Sequence, residues 1–439
     1  MNTFKIGGIH PNPEKRTSGA QHPITAISRP AQLTLLLGQG IGKPARPVVK
    51  AGDEVVRGQL IAEADGPISA NLHAPLSGKV HKLAKVRDMQ GYWKDAIILD
   101  VSDDAAVVDF PSRTEEEIAS LSSKDIVEEV RRAGIVGLGG AAFPTAVKLT
   151  PPPDMPVDTV ILNGAECEPY LTCDDRLMCE RATGILRGAE LLMRAVGVSR
   201  CLVGIEHNKP EAIKAMTRAA ESFTGIEIVP LRTKYPQGGE KQLIEALTGR
   251  QVPSGKLPAA VGCIVDNVAS AYAVYEAVWL RKPLIERVVT VTGRGLELPG
   301  NYLVPLGTNL AHLLEGCVWD DSTSAEVIAG GPMMGRSVSC LDAPVQKATS
   351  GLLTMDATMN KRRPEQPCIR CGRCMHGCPM GLEPFLLLAM SRKRMWQEMK
   401  DNFALDCIEC GSCSWSCPAY KPLLDFIKIG KMEIRKRKL

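Results

Sequence analysis

Two cysteine runs near the end of the chain constrain it more than any other feature. The first reads Cys368-x-x-Cys371-x-x-Cys374-x-x-x-Cys378-Pro379, and the second, Cys407-x-x-Cys410-x-x-Cys413-x-x-x-Cys417-Pro418, repeats it. Three thiolates at this spacing let one turn of backbone wrap the corner of an iron–sulfur cube. The full run twice over points to two [4Fe–4S] clusters, with the fourth cysteine of each run ligating the other cluster. Cluster 1 would then take Cys368, Cys371, Cys374 and Cys417; cluster 2 would take Cys378, Cys407, Cys410 and Cys413. The proline after each fourth cysteine stops the chain from continuing as helix. The competing reading is a pair of structural zinc sites, since Cys-x-x-Cys pairs also bind zinc. Zinc asks for four ligands at one tetrahedral centre and has no use for the full spacing twice. The run therefore implies single-electron carriers.

A chain of 439 residues has room for several domains, at roughly 100–200 residues each. Its hydrophobic content of 44% suits a soluble globular protein. No apolar run reaches the roughly 18 residues that span a bilayer, and the N-terminus lacks the apolar stretch of a secretory signal. Cluster-bearing thiols belong in a reducing cytoplasm. The other cysteines (Cys167, Cys173, Cys179, Cys201, Cys263, Cys317 and Cys340) lack metal spacing and read as small buried hydrophobes. The net charge of +4 is uneven: over 426–439, Lys428, Lys431, Arg435, Lys436, Arg437 and Lys438 face Glu433 alone among the charged residues from 428 on. Such a basic tail either lies on anionic headgroups or is a solvated, frayed terminus. Aromatic content of 4% offers no stacking platform, which argues against nucleic acid as a partner.

Residues 30–100 read as short strands broken by frequent turn signals. They resemble a biotinyl/lipoyl-type barrel-sandwich domain, with Gly52-Asp53 and Gly78 in the tight turns. The hairpin tip where a carrier domain displays its modified lysine falls at Asp65-Gly66-Pro67, which has none. From 115 to 280 helices and strands alternate, starting with a helix capped by Ser122 and Asp125 and stopped at Gly134. That alternation predicts a largely parallel sheet. The segment 287–316 resembles the soluble-ligand-binding β-grasp module found beside nicotinamide-oxidising flavin domains. A polar linker, 361–367, leads to the cluster domain. Between the cysteine runs, Phe385, Leu388, Ala389, Met395, Trp396 and Met399 fall on one helical stripe.

The stretch 137–145 formally matches the dinucleotide fingerprint through Gly137, Gly139 and Ala142. It follows a predicted helix rather than a strand, so that reading fails its own context. Crowded glycines still allow close backbone approach to a phosphate. The company they keep, Lys148, then Asn163-Gly164-Ala165-Glu166-x-Glu168-Pro169, then Asp175-Arg176, resembles the flavin-binding subunit of respiratory complex I. Tyr235-Pro-Gln-Gly238-Gly239-Glu240 stands where that family has its second flavin loop, and Val265-Asp266-Asn267-Val268 where it has an asparagine-rich strand end. Ala165 replaces the Asp of its signature. Over its whole length the chain resembles the C-subunit family of Rnf (Rsx) complexes, which exchange electrons between ferredoxin and NAD while moving ions across a membrane.

The resemblance implies a multidomain α/β fold. A β-rich barrel-sandwich domain would occupy 1–110, an α/β flavin and NADH domain 111–284 and a β-grasp module 285–355. An α-helical double [4Fe–4S] ferredoxin-type domain over 356–425 and the basic tail would follow. It further implies FMN lined by Gly137, Gly139, Gly140, Lys148, Asn163 and Glu166, closed on the other side by Tyr235, Gly238, Gly239 and Asn267. Phe143 and Glu240 would contact NAD(H), with Glu240 or Glu168 hydrogen-bonding a ribose. Flavin chemistry needs no separate proton-transferring side chain. The implied partners are the other subunits of such a complex, integral-membrane and ferredoxin-like ones included. The implied location is peripheral, on the cytoplasmic face of the membrane. Two other readings remain: a soluble NADH-dependent electron-input subunit, and a flavin-free iron–sulfur wiring adapter.

Overall fold

The computed structural model describes residues 1–19, 21–102, 110–361 and 363–439. The sequence boundary at 110–111 adjoins residues 103–109, which lie outside the described residues, as does residue 362 of the linker. Strands Gln32–Leu36, Trp93–Val101, Gly78–Arg87 and Glu54–Val55 pair in that order as one antiparallel sheet. Arg46–Pro47, Leu60–Glu63 and Leu72–His73 form a second. Leu33, Leu35, Ile61, Leu72, Val80, Ile97 and Leu99 fill the space between them, the alternating inward set of a sandwich. The lysine-free tip is pinned. Lys43 N donates to Ile68 O at 3.0 Å, and Ile41 N donates to Ala141 O at 3.2 Å. Gly42 sits at φ 117°, where a Cβ would fall 2.0 Å from Ile68 O, so only glycine fits. The first domain thus abuts the glycine loop of the second.

The chain ahead of the sandwich is a strap over the other domains. Asn2 bridges to Leu231 and Ile9 to Tyr235, Phe4 and Ile9 are buried, and Thr25–Ala26 pairs with Gly300–Pro305.

The second domain holds a four-stranded parallel sheet of β1 (Thr159–Gly164), β2 (Cys201–Glu206), β3 (Ile226–Leu231) and β4 (Cys263–Asn267). Its central strands are apolar along almost their whole length, as strands covered on both faces must be. Helices α1 (Cys173–Val196), α2 (Pro210–Ala220), α3 (Glu240–Thr248) and α4 (Val268–Trp279) alternate with them. The helix Ser123–Arg132 has the expected capping box and precedes Gly134 at φ 67°. The strand order is β3-β2-β1-β4, so the winding direction reverses between β1 and β4.

The third domain orders its strands as Gly300–Pro305, Glu286–Gly293, Gly351–Met355, Glu326–Ala329 and Arg336–Ser337. The first and last strands in sequence lie parallel at its centre, and Leu310–Gly316 packs beneath. This is the β-grasp order.

Two expectations for the cluster domain need correction. The stripe between the cysteine runs lies on two helices, Pro384–Arg392 and Trp396–Asp401, because Arg394 turns into the left-handed region at φ 56°. Leu387, Leu388, Trp396 and Met399 are buried, but Phe385 is 43% exposed and Ala389 is exposed too. The basic stretch is not a separate tail. Leu423–Arg437 is one helix that buries Ile427, Gly430, Lys431 and Ile434, and Lys431 Nζ reaches Glu409 at 2.6 Å. Its basic residues hide an apolar face that completes the domain core. Among the described residues no helix is long and apolar enough to cross a membrane.

Candidate functional site

Asn163 is the penultimate residue of β1 and Asn267 the last of β4. Their neighbouring tips flank the point where the winding reverses, which is where open α/β sheets form a ligand crevice. Asn267 Nδ2 donates to Asp174 Oδ2 at 2.7 Å and to Asn163 O at 3.3 Å, while its Oδ1 accepts from Ala269 N and caps α4. The glycine loop closes over this pair: a Cβ on Gly139 would lie 2.8 Å from Asn267 Nδ2, whereas one on Gly140 would meet nothing within 4 Å. Gly137 N donates to Phe143 O at 2.9 Å and folds the loop back on itself. Asn163 Nδ2 donates to Gly238 O at 2.9 Å, which brings in the second loop. Gly239 then leads into α3, with Glu240 exposed in its first turn. Behind the crevice, Lys148 Nζ donates to Val265 O at 2.9 Å and stands 3.9 Å from Asp266 Oδ1. The other Asp266 oxygen is buried without a hydrogen-bond partner among the described residues. An open glycine cradle, a cation and an unpartnered acceptor match the planar ring, phosphate and hydroxyl groups of a flavin mononucleotide.

Three residues expected on the cofactor are engaged elsewhere. Glu166 accepts from Asp174 N at 2.8 Å and Asp175 N at 3.3 Å, so its carboxylate satisfies the start of α1. Glu168 accepts from Met333 N at 3.1 Å and Met334 N at 2.8 Å, and its Oε1 stands 3.3 Å from Tyr235 OH, which fastens the flavin-type domain to the β-grasp module. Burial pushes its carboxyl up to about 7, against the pull of those donors. Tyr235 OH gives its one proton to Cys410 O at 2.8 Å. It is a rivet to the cluster domain.

Sequence reasoning missed several residues around that rivet. Lys15 Nζ, from the strap, donates to the carbonyls of Glu166 at 2.8 Å and Glu168 at 2.9 Å. Lys209 Nζ, 1% exposed, donates to Ala165 O at 2.6 Å, so the loop after β1 is gripped from two sides. Burial depresses the Lys15 ammonium, and burial followed by the Glu166 charge raises Asp174. Cys167, read as inert, accepts from Gly238 N at 3.3 Å and packs with Tyr235 and Cys410. Only its position between two site glutamates could have signalled this.

In the cluster domain the two cysteine runs interleave in space. One apolar cavity is lined by Cys378 of the first run together with Cys407, Cys410 and Cys413 of the second. Cys374 lies close enough to Cys417 for that thiol's charge to raise it, after the larger effect of burial. Backbone N–H groups already aim at sulfur: Arg370 N to Cys368, Leu382 N to Cys378 and Glu409 N to Cys407, each at 3.4 Å. Such donors stabilise and tune cluster thiolates. The two sets differ in surroundings. Cys368 and Cys371 are exposed, whereas Cys378, Cys410 and Cys413 are buried. Gln242 Nε2 donates to Pro379 O at 3.2 Å and Gly8 N donates to Gly377 O at 3.2 Å, so the second set faces the α/β domain and the strap.

Family models describe three of these parts. The RnfC barrel sandwich hybrid domain matches residues 2–104, the Nuo51 FMN-binding domain 130–276, and a 4Fe-4S dicluster domain 367–421. The C subunit of the proton-translocating ferredoxin:NAD(+) oxidoreductase complex of Clostridium ljungdahlii is 45% identical over 98% of this chain and 93% of its own length. The C subunit of the Na(+)-translocating complex of Acetobacterium woodii is 41% identical over 98% of this chain and 97% of its own. The chain belongs to this RnfC family. As a member it carries an FMN-binding domain, whose sheet holds the β1/β4 crevice, and a dicluster domain riveted beside it. A solved NAD+-reducing [NiFe]-hydrogenase shares the fold, with a TM-score of 0.51 and 19% identity over 72% of this chain and 66% of that one.

Proposed function

We propose that this protein exchanges a hydride with NAD(H) at FMN and relays single electrons through two [4Fe–4S] clusters. In this reading it serves a complex that couples electron transfer between ferredoxin and NAD to ion translocation. It is peripheral, on the cytoplasmic face of the membrane, and joined to the other subunits of the complex. The names of the two bacterial relatives support the activity and the assembly. Gly137, Gly139, Gly140, Lys148, Asn163, Gly238 and Asn267 hold the FMN. Phe143 and Glu240, on the open side, face the nicotinamide nucleotide, and Glu166, Glu168 and Tyr235 position the loops. Cys378, Cys407, Cys410 and Cys413 hold the inner cluster; Cys368, Cys371, Cys374 and Cys417 hold the outer one.

One observation carries the reading. The second flavin loop touches both halves of the machine: Gly238 takes the Asn163 amide at the crevice, and Tyr235 meets Cys410 across the domain boundary. FMN bound there would supply the exchange between two-electron hydride chemistry and one-electron transfer. The protein's part is orientation and dryness. Asn163 and Asn267 fix the floor of the crevice, Lys148 supplies positive charge, and the Ile9–Tyr235–Cys410 cluster keeps water from the path between the crevice and the inner set of cysteines. The anaerobically purified complex tests this. Cys413→Ser should leave NADH oxidation by an artificial dye in place and abolish delivery to the remaining subunits; a chain that holds no flavin after reconstitution overturns the reading.

A further inference from the structure

We infer that the solvent face of the outer cluster loop is the docking surface for an acidic one-electron carrier protein of the same complex. The inference rests on the electron route proposed above. The two cysteine loops correspond residue for residue, and they differ where their surroundings differ. Arg370 in the outer loop corresponds to Glu409 in the inner one, both left-handed at φ 55° and 60°. Glu409 is neutralised by Lys431 at 2.6 Å, while Arg370 is exposed and has no ion pair among the described residues. Arg373 is likewise exposed; its counterpart Ser412 is fully buried and accepts from Cys410 Sγ at 3.3 Å.

The charge around the outer loop is one-sided. Segments 363–376 and 417–421 carry Arg363, Arg370, Arg373 and Lys421 against Glu365 alone. Glu365 is already spanned by Arg392 at 2.7 Å and Lys421 at 2.6 Å, so no carboxylate among the described residues pairs with the two cluster-loop arginines. Ile369, 69% exposed, and Met375, 37% exposed, flank them in the sequence. A small exposed surface that mixes apolar side chains with charge of one sign is the composition of a transient electron-transfer contact. Unpaired guanidinium groups select carboxylates as their complement. The inner cluster has no such face, because the strap, Gln242 and Tyr235 cover it.

The test uses the assembled complex with both clusters and flavin. Arg370→Glu combined with Arg373→Glu should slow NADH-driven reduction of the next carrier at least about tenfold at low salt, and flatten its dependence on ionic strength. NADH oxidation by dye and the spectra of both clusters should not change. If charge reversal disturbs cluster assembly, the paired arginine-to-glutamine variant decides the matter, with a smaller loss of the same kind. Lys436→Glu with Lys438→Glu, on the far helix, should have no effect. Wild-type carrier reduction in the loop variants with dye activity intact overturns the docking surface and leaves the route standing. Wild-type clusters that NADH cannot reduce bring down the route itself. Loss of binding to phosphatidylserine vesicles with carrier reduction unchanged also overturns the inference and assigns the patch to lipid.

Discussion

Adding one methyl group at Gly139 and, separately, at Gly140 should distinguish injury to the fold from injury to cofactor binding. At Gly139 the new Cβ would fall 2.8 Å from Asn267 Nδ2 and 3.0 Å from its Cβ and Cγ. Asn267 has no slack, since its amide holds Asp174 at 2.7 Å and its oxygen caps α4 through Ala269 N at 2.8 Å. Losing the cap costs about 0.5–2 kcal/mol, and leaving the buried Asp174 oxygen short of a donor adds about 1–3. Gly139→Ala should therefore lose roughly 2–4 kcal/mol, a large share of a typical domain's stability. At Gly140 the Cβ meets only open space and φ lies outside the left-handed region. The protein alone should accept alanine there, even gaining up to about 1 kcal/mol through a less flexible unfolded chain. If FMN approaches that backbone, Gly140→Ala should weaken its binding by about tenfold or more, at about 1.4 kcal/mol per factor of ten. Thermal melting of the cofactor-free chain and fluorescence titration with FMN read the two effects separately. Wild-type FMN affinity in Gly140→Ala together with wild-type melting in Gly139→Ala would refute the crevice as the site.

Other perturbations address neighbouring parts. Tyr235→Phe removes the donor to Cys410 O and should cost about 1–3 kcal/mol, while slowing cluster reduction by NADH more than dye reduction; equal slowing of both would contradict the rivet. Cys378→Ser should remove the signal of the inner cluster and about half of the roughly eight irons, sparing the outer cluster; loss confined to the outer cluster's signal defeats the crossover assignment. Glu168 titrates at about 7 in the folded chain, above its ordinary 4.5. Its contribution to stability is thus fully present below the lower value and lost as pH rises through the higher one. Glu168→Gln removes this dependence and should gain on wild type by up to about 3 kcal/mol between roughly pH 5 and 8. Melting curves of the two proteins that stay parallel with pH would show that the carboxyl is not buried as described.

Much of the molecule was legible in the chain because its signals are local. Cysteine spacing describes a loop wrapped on a cluster, and Ser122 with Asp125 describes a helix start; neither depends on distant residues. The glycine loop was legible only through its company, since its function depends on Asn267, more than a hundred residues away. The reversal between β1 and β4 was not legible, because the strand order of a parallel sheet is set by how crossovers pack and leaves no periodic mark. The second roles of Glu168 and Tyr235 were hidden for the same reason: the motif names the residues, but only the packed domains show that they also hold Met333, Met334 and Cys410. The last helix escaped notice because its lysines and arginines outnumber Ile427 and Ile434, although those two decide what it packs against.

The hairpin tip of the first domain has a mechanical consequence. In a carrier domain that tip is the part that travels. Here Lys43 holds it by its main chain and Ile41 clasps Ala141 next to Gly140, so it acts as a stationary abutment. A load applied to the sandwich by any neighbouring protein passes from the Lys43 segment to Ile41 and crosses into the glycine loop at the Ile41–Ala141 hydrogen bond. The module without reactive groups therefore supplies one of the fastenings of the glycine loop, beside those of Ser270 and Arg287 to Leu138.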